Sequence, residues 1–311
     1  MKIKRPFLLC LCLFVSAAAC AKKDESILRL GYLQSDLHHL PAFVAIEKGY
    51  YAEQGLKVQV GGVFKAGPEE MSAFGAGELD FGYVGQAPAT AALLNGVADI
   101  QFIAQVNLEG SAIVARKNAG TDSFRKLSGK TVAIPGHATM QDFLLRMALK
   151  NSGMNFNDIM IIVLKPPEML QALEQKNIDA FIAWQPYPAQ AQQSDTVQVL
   201  LDSADIWKDH PCCALIARRT LCAQQPQTIQ KIQAAHAKAC AFIIEHHNEA
   251  VAIGMKYTSM ERAVVEQSML HIHYTSLLDK TKASEFVGFL KEQRYIKAAD
   301  VSRLFSQAFF E

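Results

Sequence analysis

Residues 71–84 have the sequence MSAFGAGELDFGYV, and a phrase of the same form, MLQALEQKNIDAFIAW, returns at residues 169–184. In each phrase a helical pattern leads through a turn, an apolar residue and an aspartate (Asp80 or Asp179) into an apolar strand. Alternation of helices with short buried strands is typical of an α/β domain with a mostly parallel sheet. We interpret the repetition as two lobes built on one plan.

A second repetition predicts where the lobes join. Residues 111–116 (SAIVAR) and 213–218 (CALIAR) are nearly the same strand, and they bracket the segment between them. We interpret both strands as crossings between the lobes and as a hinge. Lobe one is then predicted at residues 27–113 plus 217–311, and lobe two at residues 114–216. A cleft between two lobes is a favoured place for a ligand.

Local patterns predict individual elements within this plan. Strands are expected at residues 27–33, 56–60 and 131–134, and helices at residues 42–54 and 140–150. Gly55 would close the first helix, because glycine accepts the left-handed conformation found after helix ends.

The first 20 residues have the layout of a secretory signal, in which basic residues precede an apolar run and small residues precede Cys20. The apolar run is shorter than the roughly 20 residues of a membrane-spanning helix. The end of this segment resembles the bacterial lipobox, although Ala17 stands where that pattern prefers leucine. We expect residues 1–19 to be removed, a lipid on Cys20, and a tether at residues 20–26. The protein would be a membrane-anchored lipoprotein of the periplasm or cell envelope, and ordinary cleavage beside Cys20 is the alternative.

Composition limits the partners. Loss of residues 1–19 takes three of the 31 basic residues, which leaves 28 against 30 acidic residues and a net charge of −2. A near-neutral chain lacks the basic surface that nucleic acids require, so we expect no nucleic-acid partner. Four cysteines follow Cys20, and in an oxidising compartment some could form disulfides, which the sequence does not pair: Cys212, Cys213, Cys222 and Cys240.

Three phrases carry a resemblance to a known family: GYYAEQGL at residues 49–56, GAGELDFG at residues 75–82 and WQPY at residues 184–187. With the order of elements above, they resemble the periplasmic solute-binding proteins of ABC importers for nitrate, sulfonates, taurine and thiamine precursors. The resemblance covers nearly all of the mature chain. It implies a type II periplasmic-binding-protein fold whose two lobes close on a small molecule and deliver it to a permease and ATPase. We expect a monomer without a cofactor.

Ligands of such folds lie at the carboxyl ends of strands and at helix N-termini. The predicted ligand-binding residues follow strands or precede the crossings: Asp36, His38, His39, Gly85, Gln86, Ala87, Glu109, Gly136, His137, Ala138, Thr139, Trp184, Gln185 and Tyr187. The family uses small hydroxyl and glycine residues near Thr139, so His137 departs from its pattern. The ligand is predicted to be a small organic anion, such as a sulfonate, taurine or nitrate, or a heterocycle like the thiamine precursors.

Other functions are weighed against the importer. No metal site is predicted, because His38 and His39 are adjacent and neighbouring side chains rarely converge on one ion. Cys212 and Cys213 are expected to be buried thiols or a disulfide rather than ligand contacts. The eukaryotic synthase of the thiamine pyrimidine resembles these receptors, but its longer cysteine run and cytosolic setting fit this exported chain poorly, so no enzyme is expected. A lipoprotein sensor of the same ligand is the further alternative.

Overall fold

The computed structural model describes residues 27–117, 120–297 and 301–304. The predicted signal segment, Cys20 and its tether lie outside the described residues. The strands are β1 (Leu28–Leu33), β2 (Val58–Phe64), β3 (Phe81–Gly85), β4 (Ile100–Glu109), β5 (Ser111–Arg116), β6 (Thr131–Ile134), β7 (Met160–Val163), β8 (Ala180–Trp184), β9 (Val197–Asp202), β10 (Pro211–Arg218) and β11 (Ile272–Tyr274). The helices are α1 (Leu40–Glu47), α2 (Tyr50–Glu53), α3 (Gly67–Gly75), α4 (Gln86–Leu94), α5 (Met140–Asn151), α6 (Pro166–Glu174), α7 (Tyr187–Ala191), α8 (Ser203–Ile206), α9 (Arg219–Gln224), α10 (Pro226–Glu245), α11 (His247–Thr258), α12 (Arg262–Met269) and α13 (Lys280–Glu292). None of these helices is long and apolar enough to cross a membrane.

The strands form two sheets with one plan. The first has the order β11-β4-β10-β3-β1-β2, and the second has the order β7-β6-β8-β5-β9. In the first sheet β1 is parallel to β2 and β3, whereas β10 runs antiparallel to β3 and β4. The second sheet repeats these directions, since β6 is parallel to β7 and β8, and β5 is antiparallel to β8 and β9. The similar strands β5 and β10 therefore occupy equivalent positions in two α/β lobes.

The aspartates of the two repeated phrases make equivalent contacts in the two lobes. Asp80 accepts a hydrogen bond from the backbone N–H of Arg29 at 2.8 Å and forms an ion pair with Arg218, the last residue of β10. Asp179 accepts from the backbone N–H of Thr131 at 2.9 Å and pairs with Arg116, the last residue of β5. In each lobe a carboxylate thus connects the helix-to-strand turn with two strands of its sheet.

The chain changes sheets twice, at Gly110 between β4 and β5 and again between the end of β9 and the start of β10. These points lie a few residues before the lobe boundaries expected from the sequence, because each of the two similar strands already pairs within the sheet that follows its crossing. The boundaries and the hinge remain predictions.

The helix expected at residues 42–54 is wrong as one element. It is two helices, α1 and α2, separated at Gly49, whose φ of 71° is left-handed and interrupts the helical hydrogen bonds. Gly55 has a φ of 69°, which agrees with its predicted place after a helix end. Phe43 on α1 is fully buried in the core of the first lobe.

The C-terminal helix α13 joins the two lobes. Phe286 of α13 packs edge to face on Phe143 of α5 at 4.5 Å between ring centroids and lies parallel to Trp207 at 6.4 Å. Lys150 of α5 also pairs with Glu292 at 2.9 Å. The segment that the sequence assigned wholly to lobe one therefore also packs against lobe two.

Candidate functional site

A small cavity of about 20 Å³ lies between the lobes. Strand ends and helix starts of the first lobe contribute Leu33, Asp36, His38, Gly67, Gly85, Pro88, Cys212 and Cys213. The second lobe contributes Thr139, Met140, Gln141 and Trp184. Residues from both sheets therefore form the walls of one small enclosure.

The loop after β1 places two polar side chains on the cavity wall. Asp36 accepts a hydrogen bond from the backbone N–H of His38 at 2.9 Å, which caps a short 3₁₀ turn over Leu37–His39. Pro41 lies in the first turn of α1, where its lack of an N–H costs nothing. The cap and the proline fix where the helical turns begin, only a few residues after β1. Asp36 and His38 therefore lie close to the carboxyl end of that strand.

His38 is held in one orientation by a backbone carbonyl. Its Nε2 lies 2.8 Å from the oxygen of Gly110, and a carbonyl oxygen only accepts, so Nε2 carries the proton. The same oxygen accepts from the N–H of Gln185 at 2.9 Å. A Cβ on Gly110 would lie 2.3 Å from Nε2 of His38, so this contact requires glycine. The other ring nitrogen, Nδ1, therefore points away from Gly110.

Nδ1 of His38 faces two thiols from the start of β10. The sulfur of Cys212 lies 3.4 Å from it and the sulfur of Cys213 lies 3.6 Å from it. The two sulfurs are 4.0 Å apart, so these buried cysteines are free thiols and not a disulfide. The fold brings these three side chains together from positions that are 174 residues apart in the chain.

Burial and mutual charge shift the proton affinities of this group. Burial raises the pKa of Asp36 to about 7, although His38 acts in the opposite direction. The hydrogen bond from Cys213 and the charge of His38 lower the pKa of Cys212 well below its usual value, against the effect of burial. Burial also opposes a charge on His38, but Cys212 and Asp36 outweigh it and raise its pKa to about 9.

His39 lies behind this wall. Its Nδ1 accepts from the backbone N–H of Leu33 at 3.0 Å, so its proton is on Nε2, which lies 3.8 Å from Asp36. Burial lowers the pKa of His39 well below its usual value, and the ring is therefore neutral. Nε2 has no hydrogen-bond partner among the described residues, and His39 does not line the cavity.

The second lobe offers an unused donor. Trp184 is buried at the end of β8, and its Nε1–H has no hydrogen-bond partner among the described residues. Thr139 caps α5 by accepting from the N–H of Asp142 at 3.2 Å, and its hydroxyl donates to the oxygen of Gly136 at 2.7 Å. Since a buried donor without a partner is costly, Trp184 is poised to donate to a bound molecule.

Five predicted site residues line the cavity: Asp36, His38, Gly85, Thr139 and Trp184. The other nine do not line it. Four are next or close in sequence to the lining residues Gly85 and Thr139: Gln86, Ala87, Gly136 and Ala138. Three are buried elsewhere (His39, Glu109 and Gln185), His137 is exposed, and Tyr187 lines another pocket. The His137 ring is 62% exposed and lies 3.6 Å from Asp142. Glu109 accepts from the N–H of Asp209 at 2.7 Å across the two crossing segments.

Sequence analysis missed seven lining residues: Leu33, Gly67, Pro88, Met140, Gln141, Cys212 and Cys213. Gln141 is the second residue of the helix predicted after the loop at residues 135–139, and its amide donates to the hydroxyl of Ser111 at 3.0 Å. The cysteines lie at the start of β10, the second of the two similar strands. The similarity of these strands was the sequence signal that could have placed the cysteines near the cavity. They were expected to be buried and they are, but they also border the cavity.

Two groups of described side chains have an arrangement that could hold a metal ion. One contains His38, Cys212 and Cys213, and the other contains Asp36, His39 and Cys213. In each group the donor atoms lie within 4.8 Å of one another. The argument from adjacent histidines does not apply to this arrangement, because the sulfur donors come from a distant strand.

Similarity to known proteins covers most of the chain. The sequence model described as the NMT1-like family matches residues 21–255. A putative binding protein of Brucella abortus is 30% identical over 255 residues, which are 81% of this chain and 77% of that protein.

Solved structures share the fold. The ligand-binding component of an ABC-type import system from Staphylococcus aureus, solved with zinc bound, has a TM-score of 0.80 at 19% identity and covers 92% of this chain and 98% of its own. The periplasmic aliphatic sulphonate-binding protein SsuA of Escherichia coli has a TM-score of 0.77 at 22% identity, with 92% of this chain and 99% of its own covered. These likenesses confirm the predicted two-lobed periplasmic-binding-protein fold, and the chain belongs to the NMT1-like family.

Proposed function

We propose that the protein is the extracytoplasmic solute-binding component of an ABC importer and holds a small molecule between its lobes. The present cavity of about 20 Å³ has room for about one water molecule, so the lobes must separate to admit the solute. The observation that carries this proposal is the composition of the cavity walls, which come from the strand ends of both sheets. A molecule that touches both walls stabilises the closed arrangement of the lobes, and a permease can recognise that arrangement. Family membership supports the same role.

The walls favour a flat molecule with a hydrogen-bond acceptor. Trp184 provides an aromatic surface and a free N–H, which suit a ring nitrogen or carbonyl oxygen. None of the described residues that line the cavity is a lysine or an arginine, so a simple anion finds no permanently charged cation there. Of the two predicted ligand classes, a heterocycle like the thiamine precursors fits these contacts better than a sulfonate, taurine or nitrate.

The anchoring of this receptor is also proposed. Export by the signal segment and a lipid on Cys20 would hold the protein beside the permease at the membrane surface. Radiolabelled fatty acid or glycerol should appear in the wild-type protein and not in a Cys20→Ser variant. Label in both proteins, or in neither, would remove lipidation from the proposal.

Calorimetric titration of the exported protein with both ligand classes tests the binding role. Trp184→Phe should weaken the best ligand by about five- to tenfold, because one hydrogen bond is worth about 1 kcal/mol. Trp207→Phe is the matched control, since Trp207 packs on Phe143 and Phe286 and does not line the cavity. Equal affinities of the two variants would place the ligand elsewhere, and no binding by any compound would count against an organic solute.

A further inference from the structure

Four donor side chains converge near the cavity, where β1 ends and β10 begins. They are Asp36 and His38 from the loop after β1, and Cys212 and Cys213 from the start of β10. All four are buried, with at most 3% of each residue exposed. Nitrogen, sulfur and carboxylate donors in one buried group are the usual ligands of zinc.

Four of the six distances between these donors match the edges of a metal tetrahedron. With Zn–S near 2.3 Å and Zn–N near 2.05 Å, tetrahedral geometry places two sulfurs about 3.8 Å apart and a sulfur and a nitrogen about 3.5 Å apart. The two sulfurs are 4.0 Å apart, and they lie 3.4 and 3.6 Å from Nδ1 of His38. Oδ1 of Asp36 lies 3.6 Å from the same nitrogen, against an expected N···O edge of about 3.4 Å. An ion held by His38, Cys212 and Cys213 therefore needs only small shifts of these three side chains, and Asp36 is the oxygen donor beside them.

The surrounding hydrogen bonds orient the donors as they do around bound metals. A metal-binding histidine usually donates its other ring N–H to a carbonyl or carboxylate, which fixes the tautomer. His38 does this with Nε2 and the oxygen of Gly110, so Nδ1 can offer its lone pair to an ion. The backbone N–H of His38 similarly holds the carboxylate of Asp36. Nδ1 of His39 accepts from the N–H of Leu33, so Nε2 carries the proton and His39 is not itself a ligand.

We propose that Asp36, His38, Cys212 and Cys213 bind one thiophilic transition-metal ion of the Zn²⁺ type at the wall of the cavity. Two thiolates select such an ion over Mg²⁺ or Ca²⁺, which prefer oxygen donors. Binding requires Nδ1 of His38 and both sulfurs to be unprotonated, so it releases the protons that these atoms carry in the metal-free protein. This inference goes beyond the proposed function, because it holds whether or not an organic solute occupies the rest of the cavity.

Zinc alone tests the site. The exported protein is stripped with a chelator, reduced, and titrated with Zn²⁺ in competition with a chromogenic chelator. We expect one equivalent of zinc, and at least a tenfold weaker affinity in Cys212→Ser and in Cys213→Ser. Cys240→Ser is the matched control, since Cys240 is also buried and its sulfur lies 3.6 Å from a histidine nitrogen, yet it is outside the group.

Cobalt gives a second measurement that needs no variant to fold. Co²⁺ in the wild-type protein should produce a thiolate-to-cobalt charge-transfer band in the near ultraviolet and the intense visible bands of a tetrahedral ion. A Co²⁺ spectrum without thiolate bands, no retained equivalent of zinc, or equal affinities of the three serine variants would overturn the proposal. If zinc binds and no organic compound does, the organic solute of the preceding section is rejected and the metal site stands.

Discussion

Replacement of Gly110 by alanine tests how the cavity wall is held. Gly110 has a φ of 93°, and an added Cβ would lie 2.3 Å from Nε2 of His38 and 2.9 Å from Cγ1 of Ile272. The backbone strain costs about 1–2 kcal/mol. Displacement of His38 also leaves a buried N–H without its acceptor, at about 1–3 kcal/mol. We expect Gly110→Ala to lower the free energy of unfolding by about 3 kcal/mol, because the two costs partly overlap.

Gly96→Ala separates the strain from the clash. Gly96 has a φ of 75°, and no described atom lies within 4 Å of an added Cβ, so only the strain of about 1–2 kcal/mol applies. Urea unfolding of both variants at pH 7 should show Gly110→Ala to be less stable than Gly96→Ala by about 1–2 kcal/mol. Zinc affinity should fall only in Gly110→Ala, because His38 loses the contact that orients it. Equal losses of stability and unchanged zinc binding in both variants would refute this account of the wall.

Two further predictions concern stability. Asp80→Asn should lower the free energy of unfolding by about 2–3 kcal/mol and Asp179→Asn by about 1 kcal/mol in urea titrations, because the side chain of Asp80 is 8% exposed and that of Asp179 is 22% exposed. A larger loss in Asp179→Asn would contradict this ranking. Burial lowers the pKa of His236 to about 4, against about 6.5 in the unfolded chain, so the unfolded state binds more protons between these values. Stability is therefore fully present above pH 6.5 and falls by up to about 3 kcal/mol as the pH approaches 4. His236→Gln should flatten the pH dependence measured by urea unfolding, and an unchanged slope would show that other groups cause it.

Repeats made most of the fold predictable. The two aspartate phrases and the two similar strands occur in both lobes, and the structure places each pair at equivalent positions of its sheet. The exact points of crossing were less accessible, because a strand sequence does not state which sheet it joins. The break at Gly49 was missed for a related reason, since an isolated glycine within a helical pattern is often tolerated.

The candidate site was only partly predictable. Loops after strands could be located, and Asp36, His38 and Trp184 follow from that rule. The approach of Cys212 and Cys213 to His38 depends on β10 pairing beside β3, which is a long-range feature of the sheet. Local spacing motifs describe ligands close in sequence, so they could not reveal this group.

The most direct test of the central claim is the fluorescence of Trp184 alone. The chain has two tryptophans, so Trp207→Phe leaves Trp184, at the cavity wall, as the single reporter. Titration of this variant with the best ligand should give a saturable shift of emission at one molecule per protein, with the calorimetric affinity. An unchanged Trp184 spectrum at saturation would show that the molecule does not bind between the lobes.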